Sequence, residues 1–175
     1  MAMTAPGTRA RQPIPEGYHT ITPSIVVKGA ADAIAFYIRA FGAEEISRAS
    51  MGDSPLIMHA EIKIGNARVM LTDEMPEMGC TGPVTVGGTS SSLHLYVEDA
   101  DAAYQRAVEA GAKATMPLAD QFWGDRFGMI TDPFGHNWSI ASHQFDLTEE
   151  EMAQRMAEAA ASMQAGEGCA SMQQS

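Results

Sequence analysis

Residues 24–45 read SIVVKGAADAIAFYIRAFGAEE, and residues 92–113 read SLHLYVEDADAAYQRAVEAGAK. Each stretch runs from a strand-like segment through a short break into a helical segment with an Asp-Ala pair. Each then closes on Gly-Ala and a charged residue. Asp32 aligns with Asp101, Gly42 with Gly111 and Ala43 with Ala112. A spacing of roughly seventy residues is too long for a solenoid unit and suits two copies of one supersecondary module.

Working outward, the β-branched run at 21–28 (ITPSIVVK) predicts a strand. Residues 30–41 place Ala33, Ile34, Phe36, Tyr37, Ile38 and Phe41 on one broad face, which predicts a helix ended by Gly42. Three strands follow, at 45–51, 57–64 and 67–72. The second alternates, with Met58, Ala60, Ile62 and Ile64 opposite His59, Glu61 and Lys63. Gly65-Asn66 turns it into the third. After a glycine-containing stretch the pattern restarts with a strand at 92–98 and a helix at 99–110 capped by Asp99. Strands at 113–117, 126–132 and 137–141 complete it. The expected layout is α+β: a tail at 1–17, a βαβββ module at 18–74, a linker at 75–91 and a second βαβββ module at 92–143. A helix at 147–164, opened by a Thr148–Glu151 capping box, and a frayed tail at 165–175 close the chain.

Composition narrows the function classes. A hydrophobic fraction of 45% allows a packed core. A net charge of -11 repels phosphate backbones and anionic lipid, so neither nucleic acid nor a membrane is expected as a partner. Cys80 and Cys169 have no zinc-site spacing and make no disulfide scaffold, which reads as a reducing cytoplasm. The first residues contain no apolar run, so no secretory signal is read there, and no segment is long enough to span a bilayer.

The repeated β-α-β-β-β order, taken with FYIRAFGAEE (36–45), HAEIKIGNARVMLTDEMP (59–76) and QFWGDRFGMITDPFGHNWSI (121–140), resembles the vicinal-oxygen-chelate superfamily of glyoxalase, bleomycin-resistance and extradiol dioxygenase proteins. Within it the chain is most similar to the PhnB-like branch. The resemblance covers about 20–142. It implies that the modules form an open, barrel-like mixed sheet around a cleft, and that two copies pair as a homodimer. It also implies a possible metal, held by His, Gln or Glu on the first and last strand of each module. Counted from Gly42 and Gly111, the four positions fall on Thr22, Met70, Ser92 and Ser139. Three hydroxyls and a thioether hold a divalent ion poorly, so no metal and no other cofactor is expected. The standard glyoxalase and extradiol chemistries lose their footing with it. Thr22, Met70, Ser92 and Ser139 are then expected to line the ligand site instead.

Strand parity adds His94 and Tyr96 to the face of Ser92. His94 reads as a base, a hydrogen-bond donor or a ligand, or as a histidine satisfied by a neighbouring strand. His59 and Glu61 share a face and form either an acid–base pair or a plain solvated surface. In QFWGDR (121–126), Trp123 offers cover for an apolar ligand and Arg126 a fork for an anion. Alternatively Asp125 and Arg126 pair to brace the loop. The expected function is binding or transforming a small molecule in the cleft, with a non-catalytic, ligand-sequestering protein as the alternative. A methyltransferase is excluded because no glycine-rich turn joins a strand to a helix for a nucleotide cofactor.

Overall fold

A computed structural model describes residues 7, 9–50 and 52–171, with side chains described as far as 162. Expectations for 1–6, 8, 51 and 172–175, and for the side chain of Cys169, lie outside the described residues.

The chain divides into two compact units. Of the described residues, the first comprises those up to 38 and those from 42 to 82. In it β1 (Ser24–Val27), β2 (Glu44–Ser50), β3 (Ile57–Ile64) and β4 (Ala67–Asp73) form an open sheet in the order β1-β4-β3-β2. β1 runs parallel to β4, and the other pairs are antiparallel. α1 (Ala30–Phe41) follows β1 and ends on Gly42 in the left-handed region at φ 66°. Alternation on the strands divides the sheet: Ile25, Val27, Ala60, Ile62, Ile64, Val69 and Leu71 are buried. His59, Glu61, Lys63, Arg68 and Met70 lie on the opposite, more open face.

One carboxylate joins the start of α1 to this sheet. Asp73, 5% exposed, accepts hydrogen bonds at Oδ1 from the backbone N–H groups of Gly29 (2.9 Å) and Ala30 (2.8 Å). Its Oδ2 accepts from the N–H of Ile57 (2.8 Å). A helix start has unpaired N–H donors, and Gly29 offers no side chain to meet them, so a carboxylate from the far strand does so.

Of the described residues, the second unit comprises 39–41 and 83–171. After a single helical turn, α2 (Pro83–Val86), it repeats the order β5 (Ser92–Tyr96), α3 (Ala100–Glu109), β6 (Lys113–Asp120), β7 (Asp125–Thr131) and β8 (Asn137–His143). The sheet order is β5-β8-β7-β6, with β5 parallel to β8. Asp99 caps α3 by accepting from the Ala102 N–H at 2.9 Å. Ala103, Ala107, Ile130, Trp138 and Ile140 are buried. The Trp138 indole donates to Asp132 Oδ2 at 2.9 Å.

Both units are therefore α+β and βαβββ, each built on an open four-stranded mixed sheet rather than a closed barrel. Several boundaries differ from expectation. β6 runs past Pro117 to Asp120 because it is an edge strand with a register shift between Met116 and Ala119, where a missing N–H costs little. β8 continues to His143, and β1 begins only at Ser24, after Pro23. The stretch at 75–91 holds a 3-10 turn at Pro76–Met78 as well as α2. Thr148 and Glu151 form the expected reciprocal cap, at 2.9 and 3.3 Å. The helix they open, α4 (Glu149–Ser171), outruns the expected end at 164. Among the described residues no helix is long and apolar enough to cross a membrane.

Candidate functional site

The second sheet gathers chemistry on one face. On β5 the exposed residues Ser92, His94 and Tyr96 alternate with the half-buried Leu93 and Leu95. His94 stands opposite Ser139 of β8, and its Nδ1 lies 2.7 Å from the Ser139 Oγ. Phe127 of β7 stands opposite Ala141, so it shares this face, and its ring stacks at 6.0 Å from that of His94. Trp123, in the turn before β7, meets Phe127 edge-on at 5.5 Å. Tyr96 meets His94 edge-on at 4.4 Å. The four rings form a continuous row, and Tyr96 is 59% exposed at one end.

A buried carboxylate anchors that row. Asp125 is 5% exposed and stands opposite His143. Its Oδ2 accepts from the Tyr96 hydroxyl at 2.9 Å, and its Oδ1 lies 2.7 Å from His143 Nδ1. The other nitrogen of His143, Nε2, lies 3.0 Å from Asp146 Oδ1. Burial pushes the Asp125 carboxyl up, but hydrogen bonds from His143, Tyr96 and Trp123 outweigh it and hold it below its ordinary value. His143 is raised by its hydrogen bond to Asp125 and then by that to Asp146. Tyr96 is raised chiefly because its hydroxyl proton is held by Asp125. The local backbone supports this placement. Gly124 has φ 96°, and its carbonyl accepts the N–H groups of both Gln144 and Phe145 at 3.0 Å, tying the segment after His143 to the turn bearing Trp123.

The first sheet carries a smaller polar cluster. Glu61 lies 3.3 Å from His59 Nε2 and accepts from Arg68 at 3.0 Å. The Tyr18 hydroxyl bond is the main reason its carboxyl sits below its ordinary value. Arg68 also lies over the Tyr18 ring at 4.8 Å. Beside it is an open polar hollow of about 440 Å³ whose lining includes Glu16, Glu44, Lys63 and Arg68. Glu61 is thus tied to Arg68 and Tyr18 as well as to His59.

The structure sorts the expected site residues. His94, Tyr96, Trp123, Asp125 and Ser139 come together, with Ser92 at the edge, its hydroxyl donating to the Asn137 carbonyl at 3.3 Å. Arg126 does not join them. Its side chain leaves β7 on the helix side, where it forks onto Asp101 of α3 and reaches Asp120 at 3.0 Å. It is not the partner of Asp125, because adjacent strand residues point to opposite faces. Thr22 precedes β1 and donates to the His19 carbonyl at 3.2 Å. Met70 stands opposite Ser24 rather than Thr22, and Ser139 opposite His94 rather than Ser92. The positions counted from the helix-ending glycines are therefore not direct cross-strand partners of one another. The cross-strand pairs Ser24–Met70 and His94–Ser139 supply a hydroxyl with a thioether in one sheet and an imidazole with a hydroxyl in the other. Neither pair includes a carboxylate, and among the described residues no group of three or more His, Cys, Asp or Glu is placed to hold a metal ion. This donor set fits a divalent ion poorly.

Sequence reasoning passed over Phe127 and His143. Both share parity with residues it did consider: Phe127 with Asp125, and His143 with Ser139. Ending β8 at Ala141 removed His143 from view.

Comparison with known proteins gives a consistent picture. The sequence model of the Glyoxalase/Bleomycin resistance protein/Dioxygenase superfamily matches residues 18–140. Protein Mb0911c of Mycobacterium bovis is 44% identical over 136 residues, covering 75% of this chain and 88% of that one. The crystal structure of PA1353 from Pseudomonas aeruginosa has a TM-score of 0.59 at 29% identity, covering 71% of this chain and 98% of that one. That of TioX from Micromonospora sp. ML1 has a TM-score of 0.57 at 27% identity, covering 70% and 97% respectively.

Proposed function

Because the chain belongs to the Glyoxalase/Bleomycin resistance protein/Dioxygenase superfamily, we propose that it is a protein of the PhnB-like type that holds a small organic molecule against the open face of its second sheet, without a divalent ion. The observation that carries this reading is the row of rings from Trp123 through Phe127 and His94 to Tyr96, set around a buried Asp125. Rings in such a row offer planar contact worth about 0.5–1.5 kcal/mol per stacked or edge-on pair beyond area burial. His94 and the Tyr96 oxygen add polar contacts that orient a ligand. The two hydroxyls, the thioether and the single imidazole at the paired strand positions support binding without a metal.

Sequestration rather than conversion is favoured by the partner of His94. Its hydrogen bond goes to the Ser139 hydroxyl, not to a carboxylate that would orient it for proton transfer. The test is a titration of the protein with 2-naphthol, followed through the indole N–H signal of Trp123 in NMR spectra. Saturable shifts are expected, weakened several-fold in His94→Ala and unchanged in Arg126→Ala, with the naphthol recovered intact. Failure of the Trp123 signal to move, or equal loss in the two variants, would remove the face from consideration as the site.

A further inference from the structure

Resting on the reading of that face as a small-molecule site, we propose that its ligand is an organic cation, taken up in exchange for the proton on His143. The argument begins with hydrogen-bond chemistry. Both ring nitrogens of His143 face carboxylate oxygens: Nδ1 meets Asp125 at 2.7 Å and Nε2 meets Asp146 at 3.0 Å. An ionised carboxylate only accepts, and an imidazole has two N–H donors only when protonated. The arrangement is therefore that of an imidazolium held between two carboxylates. Asp146 is fully exposed, so its side of the bridge is screened by water, whereas Asp125 is 5% exposed. The imidazolium is thus the counter-charge of the buried group.

No other cation takes that role among the described residues around Asp125. β5 contributes Tyr96 with His94 beside it, the turn before β7 contributes Trp123, and β8 contributes His143. The segment before α4 contributes Asp146. Arg126, next along β7, is spent on Asp101 and Asp120 on the opposite face. Arg155 of α4 lies over the Phe145 ring. When the His143 proton leaves, Asp125 keeps its negative charge beneath Tyr96 and the ring row. A buried carboxylate behind aromatic faces is the setting in which an organic ammonium binds, because ring faces and the carboxylate attract the same charge. A net charge of -11 adds to that attraction at long range. A cation and the His143 proton therefore compete for one field, and binding one expels the other to solvent.

The experiment compares benzylammonium with benzyl alcohol, which match in size and differ by one charge. Trp123 is again the reporter, at intervals from about pH 5 to about pH 8.5, a range that reaches above the ordinary histidine value because Asp125 and Asp146 raise His143. For benzylammonium, affinity is expected to rise about five- to tenfold across the range, as expected for one charge acting across several ångströms of half-solvated protein. For benzyl alcohol it stays level. In His143→Gln, which keeps a neutral donor for Asp125, benzylammonium binds at the high-pH strength throughout. In Asp125→Asn its advantage over the alcohol disappears. Equal affinity for the two probes at every pH, or a pH dependence that survives in His143→Gln, overturns the inference and leaves the binding face standing. No response of Trp123 to either probe overturns both.

Discussion

Replacing Asp73 by alanine would strand three backbone donors at once. Gly29, Ala30 and Ile57 each give their N–H to this carboxylate at 2.8–2.9 Å, and Ala30 and Ile57 are buried at 0% and 2% exposure. A buried donor left without an acceptor costs about 1–3 kcal/mol, and water reaching the half-buried Gly29 recovers part of one such cost. Loss of a negative charge at the first turn of α1 adds up to about 1 kcal/mol. The expected destabilisation of Asp73→Ala is about 3–5 kcal/mol, a large share of the ~5–15 kcal/mol that holds a domain of this kind folded. Asp73→Asn separates the parts. Its amide oxygen can still accept from Gly29 and Ala30, while its NH2 group faces the Ile57 N–H, so about 1–3 kcal/mol is lost. Urea unfolding followed by far-ultraviolet circular dichroism reads both as shifts of the midpoint at constant slope. If Asp73→Ala costs under about 1 kcal/mol, or no more than Asp73→Asn, then Asp73 does not pin α1 to β4 and β3. Should the alanine variant fail to fold, the asparagine variant alone still tests the ordering against wild type.

Two further outcomes follow from the second unit. Gly124→Ala places a Cβ 2.5 Å from the Phe145 carbonyl oxygen at a φ of 96°, so a loss of about 2–4 kcal/mol in urea unfolding is expected, together with weakened probe binding at Trp123. A variant as stable as wild type would show that the turn is free to move. His143 and Asp125 titrate with opposite sign. The folded value of His143 is raised, so its contribution to stability is fully present below about pH 6.5, its unfolded value, and is lost as pH rises through the folded one. Asp125 is lowered, so its contribution is present above about pH 4 and lost as pH falls through its folded value. His143→Gln should flatten the alkaline limb of the thermal-midpoint profile and leave the acid limb in place. A variant that keeps the alkaline limb would contradict the bridge to Asp125.

How much of this was legible in the chain depends on the range over which each feature is decided. The duplicated strand-helix pattern, the alternation of His59-Glu61-Lys63 against Ala60-Ile62-Ile64, the Asp99 cap and the Thr148–Glu151 box are properties of neighbouring residues. Periodicity and local hydrogen bonding settle such features before any distant contact forms. Parity along β5 likewise placed His94 and Tyr96 on one face without a structure. Across strands that logic stops. Met70 faces Ser24 and Ser139 faces His94 because of the register of parallel strands whose paired residues lie 46 and 45 positions apart in the chain, which local spacing does not set. The same register decides that Asp125 meets His143 and Tyr96, while its neighbour Arg126 turns to Asp101 on α3. Sequence by itself therefore determined which modules the chain builds and which residues share a strand face. Only the tertiary structure decided which charges meet, because a one-residue change of register sends a side chain to the other side of its sheet.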